Sequence, residues 1–413
     1  MQKNCFVQNE YNNLKNKEGN KFFICYLVLT IIVYVLPAMK LRVPYILAAL
    51  LMCSSLLYLV YKESSIVKYI VLLLFLSSFF FFRYAFFSSY SLIDAINETI
   101  RNIRFFIPVL WGVYALKNFD IKSLRMILVI FLVIVGYILI NTLIELEKNP
   151  EIARLLAQGT ASSTGAKLNS YRLSNIGGFE FSYMMGIIAL CLMWLFTVQK
   201  KPLIKIGVLI LYCISFYYIL QSQYTTLLLL TFLGSAILLF VQTKSIFIRV
   251  LIALLSLLLI IYIVDIFYYL SDVFSGSVLQ SKFIKIANSI TQKDTGELGS
   301  RPELLRDALF VWAENPIFGS FDKNLNAHSL IMATLANTGV VGLCILIYLA
   351  VKSFKLQKNL LNDYKIGLPL YYCVTGFIVL LSFFNPIGYV FEITIAGYFI
   401  VPIFIVAFSK KRS

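Results

Sequence analysis

Charged residues are scarce in this chain of 413 residues, where Asp, Glu, Lys and Arg together make up only 14%. Soluble globular domains are about 25% charged, and about half of their residues are apolar. Here 60% of the residues are hydrophobic, and the mean hydropathy is +0.84. A water-soluble fold cannot bury this much apolar surface, so the composition excludes a soluble globular protein and indicates a membrane protein.

Acidic residues are fewer than basic ones, with 20 Asp and Glu against 36 Lys and Arg and a net charge of +16. Nucleic-acid-binding proteins share such an excess, but they gather it on one basic face of a polar domain. Most of the Lys and Arg residues here flank apolar runs, which is typical of the positive-inside rule of membrane proteins. The pattern therefore indicates membrane lipids as partners and argues against nucleic acid.

Histidine is scarce, and cysteine is absent from the predicted outward-facing loops. His328 is the only histidine, Cys5 lies in the polar N-terminal tail, and the other six cysteines lie in apolar runs. This arrangement offers neither a disulfide framework nor the spacing of a metal site. The outward-facing connections also lack a pair of carboxylates of the kind that holds a divalent cation. The sequence therefore predicts no metal and no cofactor.

Long apolar runs dominate the sequence and predict an all-α polytopic membrane protein. A membrane-spanning helix needs about 20 mostly apolar residues, and the chain contains about twelve such runs. The fourth is short, so it is interpreted as a tilted or partly re-entrant segment. The predicted spans are residues 22–39, 44–61, 66–83, 103–116, 124–144, 179–198, 203–220, 224–242, 247–270, 328–351, 367–384 and 389–408.

The orientation of these spans follows from the connections between them. Every second connection is rich in Lys or Arg, and so are both ends of the chain. This alternation predicts that both termini are cytoplasmic, with Lys40 and Arg42 as the main exception. Residues 1–413 then form one membrane domain with two long outward-facing loops, at 145–178 and 271–327.

The loop at 271–327 contains a predicted amphipathic helix. Ser300 and Glu303 have the spacing of a capping box, with Pro302 in the first turn. Apolar residues then recur at helical spacing, at Leu305, Ala308, Leu309 and Trp312, and Asn315-Pro316 ends the helix. The pattern predicts a helix that lies on the membrane surface with its apolar face down.

Arg301 stands at the predicted start of that helix, where free backbone N–H groups favour anions. An arginine at such a position adds bidentate recognition of a phosphate. A solvated surface arginine paired with Glu303 or Asp307 explains the same pattern equally well. His328 follows the loop, at the mouth of the tenth span. It is a candidate general base or phosphate partner, although an interfacial histidine that anchors a helix end is the simpler interpretation.

Taken together, these motifs resemble the O-antigen ligase and O-antigen polymerase superfamily. Arg301 and Leu305 form R-x3-L, and a second pattern, H-[NSQ]-x9-G-x-x-[GTV], begins at His328. A third similar stretch, YRLSNIGGF, spans residues 171–179 at the outer start of the sixth span. The other residues of these motifs are Trp312, Asn315, Pro316, Ile317, Phe318, Gly319, Ser329, Gly339 and Gly342. The motifs cover only about residues 170–185 and 300–342, but the order and the layout of the whole chain match the family.

The resemblance implies an enzyme of the bacterial inner membrane that acts at its periplasmic face. It implies an O-antigen or capsular polysaccharide polymerase, a metal-independent glycosyltransferase that joins oligosaccharide repeat units carried on undecaprenyl pyrophosphate. Arg172, Arg301 and Arg306 would bind the pyrophosphate, and His328 would act on the acceptor hydroxyl. A chain-length regulator is a further possible partner.

The chain departs from the family in the turn after the seventh span. The family often has an arginine there, but residues 221–225 read QSQYT. Arg101 and Arg104, one helical turn apart at the outer end of the fourth span, are possible substitutes, and interfacial anchoring is the simpler explanation for both. Glu180, Asp265 and Glu392 lie near the outer ends of spans, where we interpret them as structural rather than catalytic.

Two other functions remain open on the sequence alone. An O-antigen ligase, which transfers the finished polymer to lipid A core, fits the same motifs. The stretch at residues 175–182 and the short gap between Gly319 and His328 favour the polymerase. A flippase or transporter of lipid-linked oligosaccharides would also have about twelve spans, but such proteins commonly contain repeated halves, and this sequence has no obvious internal repeat.

Overall fold

The computed structural model describes residues 20–86, 91–156, 165–222, 224–291, 296–320, 329–385 and 390–409. Within these ranges the chain is helical and has no β-strand. A 3-10 helix at Asn362–Gly367 and a π-helix at Ile395–Ile400 interrupt the α-helices. The α-helices are α1 (Asn20–Val35), α2 (Pro37–Arg42), α3 (Tyr45–Lys62), α4 (Ser64–Phe86), α5 (Leu92–Arg104), α6 (Ile107–Asn118), α7 (Ile121–Lys148), α8 (Ile152–Leu155), α9 (Gly165–Leu173), α10 (Phe179–Val198), α11 (Pro202–Gln221), α12 (Thr225–Gln242), α13 (Ile246–Ile261), α14 (Ile263–Val273), α15 (Val278–Ile290), α16 (Gly296–Glu314), α17 (Leu330–Leu361), α18 (Leu368–Phe384), α19 (Phe391–Thr394) and α20 (Val401–Phe408).

Seven helical stretches of the described chain are long and apolar enough to cross a bilayer, or eight if α13 and α14 form one bent span. One of the seven, Leu330–Phe384, contains both α17 and α18, and α1 and α3 supply shorter apolar helices. The protein is therefore an all-α, multi-pass membrane protein, as its composition predicts. The full set of twelve spans and the cytoplasmic position of both termini stay predictions.

The last apolar helix, formed by α19, the π-helix and α20, lies in the core of the bundle. Every residue from Phe391 to Ala407 is buried, and α10 is the next most buried span. By contrast, α11, α12 and α13 expose leucine, isoleucine and phenylalanine side chains along much of their length. A helix that is apolar on all sides needs protein or lipid around it. The last apolar helix and α10 are enclosed by protein, whereas the exposed apolar faces of α11, α12 and α13 are suited to lipid.

The predicted first span, residues 22–39, is wrong at its end. Helix α1 stops at Val35, Leu36 is extended with ψ 118°, and Pro37 opens the short helix α2. The ring of a proline disfavours the helical conformation of the residue before it, which explains the break. As a result, α2 forms its own element between α1 and α3, and it carries Lys40 and Arg42.

The predicted fourth span, residues 103–116, also has different bounds in the structure. Helix α5 ends at Arg104 and α6 begins at Ile107, so two helices share this region. Helix α6 has 12 residues, a length of about 18 Å at the usual rise per residue, which is well short of the bilayer core of about 30 Å. Its residues from Ile107 to Ala115 are all buried, so α6 is a core helix surrounded by protein.

The predicted ninth span, residues 247–270, is broken. Helices α13 and α14 meet at Tyr262 with a bend of 75°. Helix α14 then packs against α15 through a small apolar cluster that includes Phe267 and Phe283. Most of α14 lies within the predicted ninth span, whereas α15 lies in the predicted outward-facing loop at 271–327.

Gln357 of α17 connects the central helices to each other. Its side chain is fully buried, and its Nε2 donates to the carbonyl oxygens of Val109 and Tyr398, the latter within the π-helix. The Tyr371 hydroxyl donates to Gln357 Oε1 over 3.2 Å. Since a buried amide must satisfy its hydrogen bonds within the protein, Gln357 fixes the last helix relative to α6, α17 and α18.

Candidate active site

A cavity of about 230 Å³ lies at one end of the bundle, where α2, α9, α10 and α19 meet. Its charged lining residues are Lys40, Arg172, Glu180 and Glu392, and we call this cavity the charged recess. The rest of the lining includes apolar side chains such as Leu156 and others from the same elements. Charged side chains around an otherwise apolar cavity are typical of a small-molecule or head-group site.

Lys40 connects the two carboxylates of the charged recess. Its ammonium forms an ion pair with Glu392 and lies 3.7 Å from the Glu180 carboxylate. Glu392 is only 3% exposed, whereas Glu180 is about half exposed. Partial burial lowers the pKa of the Lys40 ammonium; Arg104 and Arg172 act in the same direction, and Glu180 opposes them. Arg104 is therefore near enough to add to the positive potential around Lys40.

Arg172 enters the recess from the end of α9. Its Nη2 donates to the carbonyl oxygen of Leu156 over 3.1 Å, which anchors one edge of the guanidinium. The chain turns directly after α9, and the turn is closed by hydrogen bonds from the amides of Ser174, Asn175 and Ile176 to carbonyl oxygens of α9. Because of these contacts, the half-buried Arg172 guanidinium lines the cavity from a fixed position.

The turn after Arg172 holds the recess together. Asn175 adopts a positive φ of 57°, and its Oδ1 accepts a hydrogen bond from the Ala38 amide of α2 over 3.1 Å. The Gly177 amide donates to Thr142 Oγ1 over 2.8 Å. A Cβ on Gly178 would lie 2.9 Å from Leu156 Cβ, so the backbone approaches too closely for a side chain there. The SNIGG stretch of the sequence motif thus sets α2, α9 and α10 around the recess.

Motif residues of segment 316–320 and Gly339 meet at a second point, in a kink of α17. Gly339 has a φ of 66°, and the helix bends there because this conformation is not helical. The segment 316–320 fills the break. The amides of Val340 and Val341 donate to the carbonyl oxygens of Pro316 and Ile317, and the Ser320 amide donates to the Ala336 carbonyl oxygen over 2.8 Å. Backbone hydrogen bonds that α17 loses at the kink are thereby replaced.

Arg83 of α4 fastens this same segment. Its Nε donates to the Phe318 carbonyl oxygen over 2.9 Å, and its Nη2 donates to those of Gly319 and Ser320. The residue is 4% exposed. An arginine so buried is costly unless its donors are satisfied, so Arg83 fixes segment 316–320 from the side.

Replacing Arg83 with methionine is expected to loosen this segment. The change removes three hydrogen bonds to backbone carbonyl oxygens, two of them buried, and a buried polar group left unsatisfied costs about 1–3 kcal/mol. We expect the detergent-solubilised protein to lose several degrees of apparent melting temperature, measured by size-exclusion chromatography after heating. Arg83→Lys is the control, because lysine keeps the charge and can donate hydrogen bonds but lacks the rigid planar fork of arginine, and an intermediate loss is expected. Equal stability of all three proteins would contradict this account.

The structure does not bring all the predicted site residues together. Arg301 lies on α16, and His328 lies outside the described residues. Arg306 is exposed, with its guanidinium 5.3 Å from the centre of the Phe310 ring. Within the described chain, Arg172 is thus the predicted phosphate-binding residue that lines the charged recess.

The predicted start of the outer-loop helix is wrong. Helix α16 begins at Gly296, so Ser300 is inside it and cannot be its N-cap, and Arg301 stands in its second turn. The argument that Arg301 lies among free N–H groups therefore fails. The helix ends at Glu314, just before Asn315-Pro316, as predicted.

The apolar face of α16 also differs from the predicted stripe. Ala308 and Val311 pack against Ala336 of α17, while Leu309 is 45% exposed. The predicted apolar stripe therefore does not coincide with the face of α16 that packs on α17. That stripe consists of Leu305, Ala308, Leu309 and Trp312. The helix is held by α17 rather than by a membrane surface alone.

Sequence reasoning missed the partnership of Lys40 with Glu392. The sequence marks Lys40 only as a basic residue on the side that the positive-inside rule leaves poor in Lys and Arg. Nothing in the sequence indicates its carboxylate partner. Arg104, a proposed substitute for the arginine absent from residues 221–225, lies within electrostatic reach of Lys40. In that turn the Tyr224 hydroxyl instead donates a hydrogen bond to the Ala153 carbonyl oxygen over 2.7 Å.

The comparisons with protein-family models and with curated proteins find no match for this chain.

Proposed function

We propose that this protein is a polysaccharide polymerase of the bacterial inner membrane. It joins oligosaccharide repeat units that are carried on undecaprenyl pyrophosphate, at the periplasmic face. The observation that carries the proposal is the charged recess, in which Arg172 of the family-like motif stands beside Lys40. A lipid-linked pyrophosphate suits a recess at the end of a helix bundle, because its head group is anionic and its tail belongs in the bilayer.

The chemistry required of such a site is charge stabilisation more than acid catalysis. The leaving group is a pyrophosphate, which gains negative charge as the anomeric C–O bond breaks. Arg172 offers a planar fork that matches phosphate oxygens, and Lys40 offers a mobile point charge. Fixed cations aimed at developing charge commonly supply the largest part of catalysis. Attack by a single acceptor hydroxyl would invert the anomeric configuration.

The residues predicted from sequence keep their proposed roles on the acceptor side. His328 would orient or deprotonate the acceptor hydroxyl, and Arg301 and Arg306 would add positive charge from the outer loop. The docking of segment 316–320 into the kink at Gly339 supports this assignment. It fixes the end of α16, which carries the two arginines, against α17, which follows His328 in the sequence.

A gel of surface polysaccharide tests the proposal. We expect a strain that lacks this gene to make lipid A core bearing a single repeat unit, or to lose long capsule chains, and the intact gene to restore them. Bare core with polymer still attached to the lipid carrier would instead identify a ligase. Unchanged polysaccharide, with normal export, would contradict both functions.

A further inference from the structure

The charged side chains that line the recess balance each other in number. Two cations, Lys40 and Arg172, and two carboxylates, Glu180 and Glu392, line it. Lys40 stands between the carboxylates, in an ion pair with Glu392 and 3.7 Å from Glu180. Arg104 lies outside the lining, within electrostatic reach of Lys40. The pairing stabilises Glu392, since a buried carboxylate without a partner is strongly destabilising.

A pyrophosphate that enters this recess disturbs that balance. Its oxygens compete with Glu392 and Glu180 for the Lys40 ammonium, and they add negative charge close to both carboxylates. Glu180 is half exposed, so water screens it, but Glu392 is 3% exposed and has little access to solvent. Glu392 is therefore the group whose charge becomes unfavourable when the phosphate takes Lys40, and a proton would relieve it.

We propose that Glu392 is the proton acceptor of the transfer reaction and that donor binding activates it by drawing Lys40 away. This inference rests on the proposed function. Before the donor binds, the ion pair with Lys40 keeps Glu392 charged and inactive. Donor binding and activation of the base are thereby coupled, because the Lys40 ammonium that binds the pyrophosphate is the one that leaves Glu392.

The step is balanced as follows. The acceptor hydroxyl oxygen forms a bond to the anomeric carbon of the donor glycan, and its proton passes to a Glu392 carboxylate oxygen. The bond between that carbon and the pyrophosphate oxygen breaks, and its electron pair stays on the pyrophosphate, next to Lys40 and Arg172. The proton then leaves Glu392 when the products depart and Lys40 returns.

This assigns to Glu392 the role that the sequence assigns to His328. The two assignments differ in a measurable way. If Glu392 is the base, its carboxylate opposes the donor in the ground state, so removing its charge favours donor binding while it abolishes proton transfer. A purely structural carboxylate has the opposite effect on binding, because its loss disturbs the recess.

The test uses the full-length protein in lipid nanodiscs. Binding is measured with undecaprenyl pyrophosphate, and turnover with lipid-linked repeat units extracted from the deletion strain. We expect Glu392→Gln to lower kcat about 100-fold or more, as for the loss of a general base, while the Kd for undecaprenyl pyrophosphate is unchanged or lower. Glu392→Asp should recover part of kcat. Asp265→Asn, an exposed carboxylate outside the recess, is the control and should leave both unchanged.

The outcomes separate this inference from the proposed function. If Glu392→Gln turns over normally, or if it and Glu392→Asp both lose donor binding, Glu392 is not the base. If His328→Ala alone loses turnover with intact binding, the role returns to His328. If the unaltered protein neither binds undecaprenyl pyrophosphate nor joins repeat units, the proposed function itself is wrong. Should Glu392→Gln be unstable, Lys40→Gln with Glu392→Gln supplies a neutral pair, and its reference is Lys40→Gln alone. A further loss of kcat in the double variant is expected, and equal kcat in the two would overturn the inference.

Discussion

Replacing Gly339 with alanine is expected to destabilise the protein by about 3–5 kcal/mol. Alanine disfavours the φ of 66° at this position, and its Cβ would lie 2.6 Å from the Gly319 amide nitrogen and closer still to the Ile317 carbonyl. The segment 316–320 would have to move, and the hydrogen bonds that fill the kink would be lost. We expect little folded protein in membranes, measured as the monodisperse fraction after detergent extraction.

Two other glycines serve as matched controls. Gly136 of α7 and Gly376 of α18 have open space where a Cβ would be, so alanine there should be neutral or slightly stabilising because it restricts the unfolded chain. Gly319→Ala should resemble Gly339→Ala, since its Cβ would lie 2.5 Å from the Thr338 nitrogen. The double variant should lose less than the sum of both, because the two glycines share one contact. Wild-type yield from Gly339→Ala would refute the tight docking of this segment.

Much of the helical layout could be predicted from the sequence, where local signals mark the ends of helices. The predicted sixth span, residues 179–198, coincides with α10. Gly178 precedes it, and a run of Gln and Lys followed by Pro202 comes after it. The twelfth span was predicted within two residues at its start and matches at its end. Apolar composition and clear boundary residues suffice in such segments.

Segments whose bounds depend on tertiary contacts could not be predicted. Helix α6 is as apolar as a span but too short to be one, and only its burial on all sides shows that it is a core helix. The bend at Tyr262 has neither proline nor glycine between Leu258 and Ile263. Hydropathy measures whether a segment avoids water, and it does not distinguish lipid from protein as the alternative.

In the candidate site too, some residues could be predicted from the sequence and others depend on tertiary contacts. The resemblance of residues 171–179 to a family motif predicts a role for Arg172, and the turn after it then holds it at the recess. Lys40 and Glu392 come from opposite ends of the chain, and neither residue has a neighbour in sequence that indicates the other. Glu392 was interpreted as structural, and the structure places it in the charged recess with Lys40.

Replacing Arg172 with alanine is expected to reduce polymer formation by about two to four orders of magnitude. Two charge-assisted hydrogen bonds to the pyrophosphate, each worth about 1.5–3 kcal/mol, correspond to roughly that loss, at about 1.4 kcal/mol for each factor of ten. The variant is scored by the length distribution of surface polysaccharide and by turnover in nanodiscs. Both should fall together with the affinity for undecaprenyl pyrophosphate, because the same guanidinium binds donor and leaving group.

The comparison with Arg172→Lys separates shape from charge. Lysine keeps the positive charge but loses the fork and the anchor to the Leu156 carbonyl oxygen, so activity between that of the alanine variant and the wild type is expected. Lys167→Ala is the matched control, because Lys167 is an exposed cation on the same helix, α9, outside the recess. Equal losses from Lys167→Ala and Arg172→Ala would mean that α9 contributes only general positive charge. A loss confined to Arg172 would make the charged recess the place where the pyrophosphate is held.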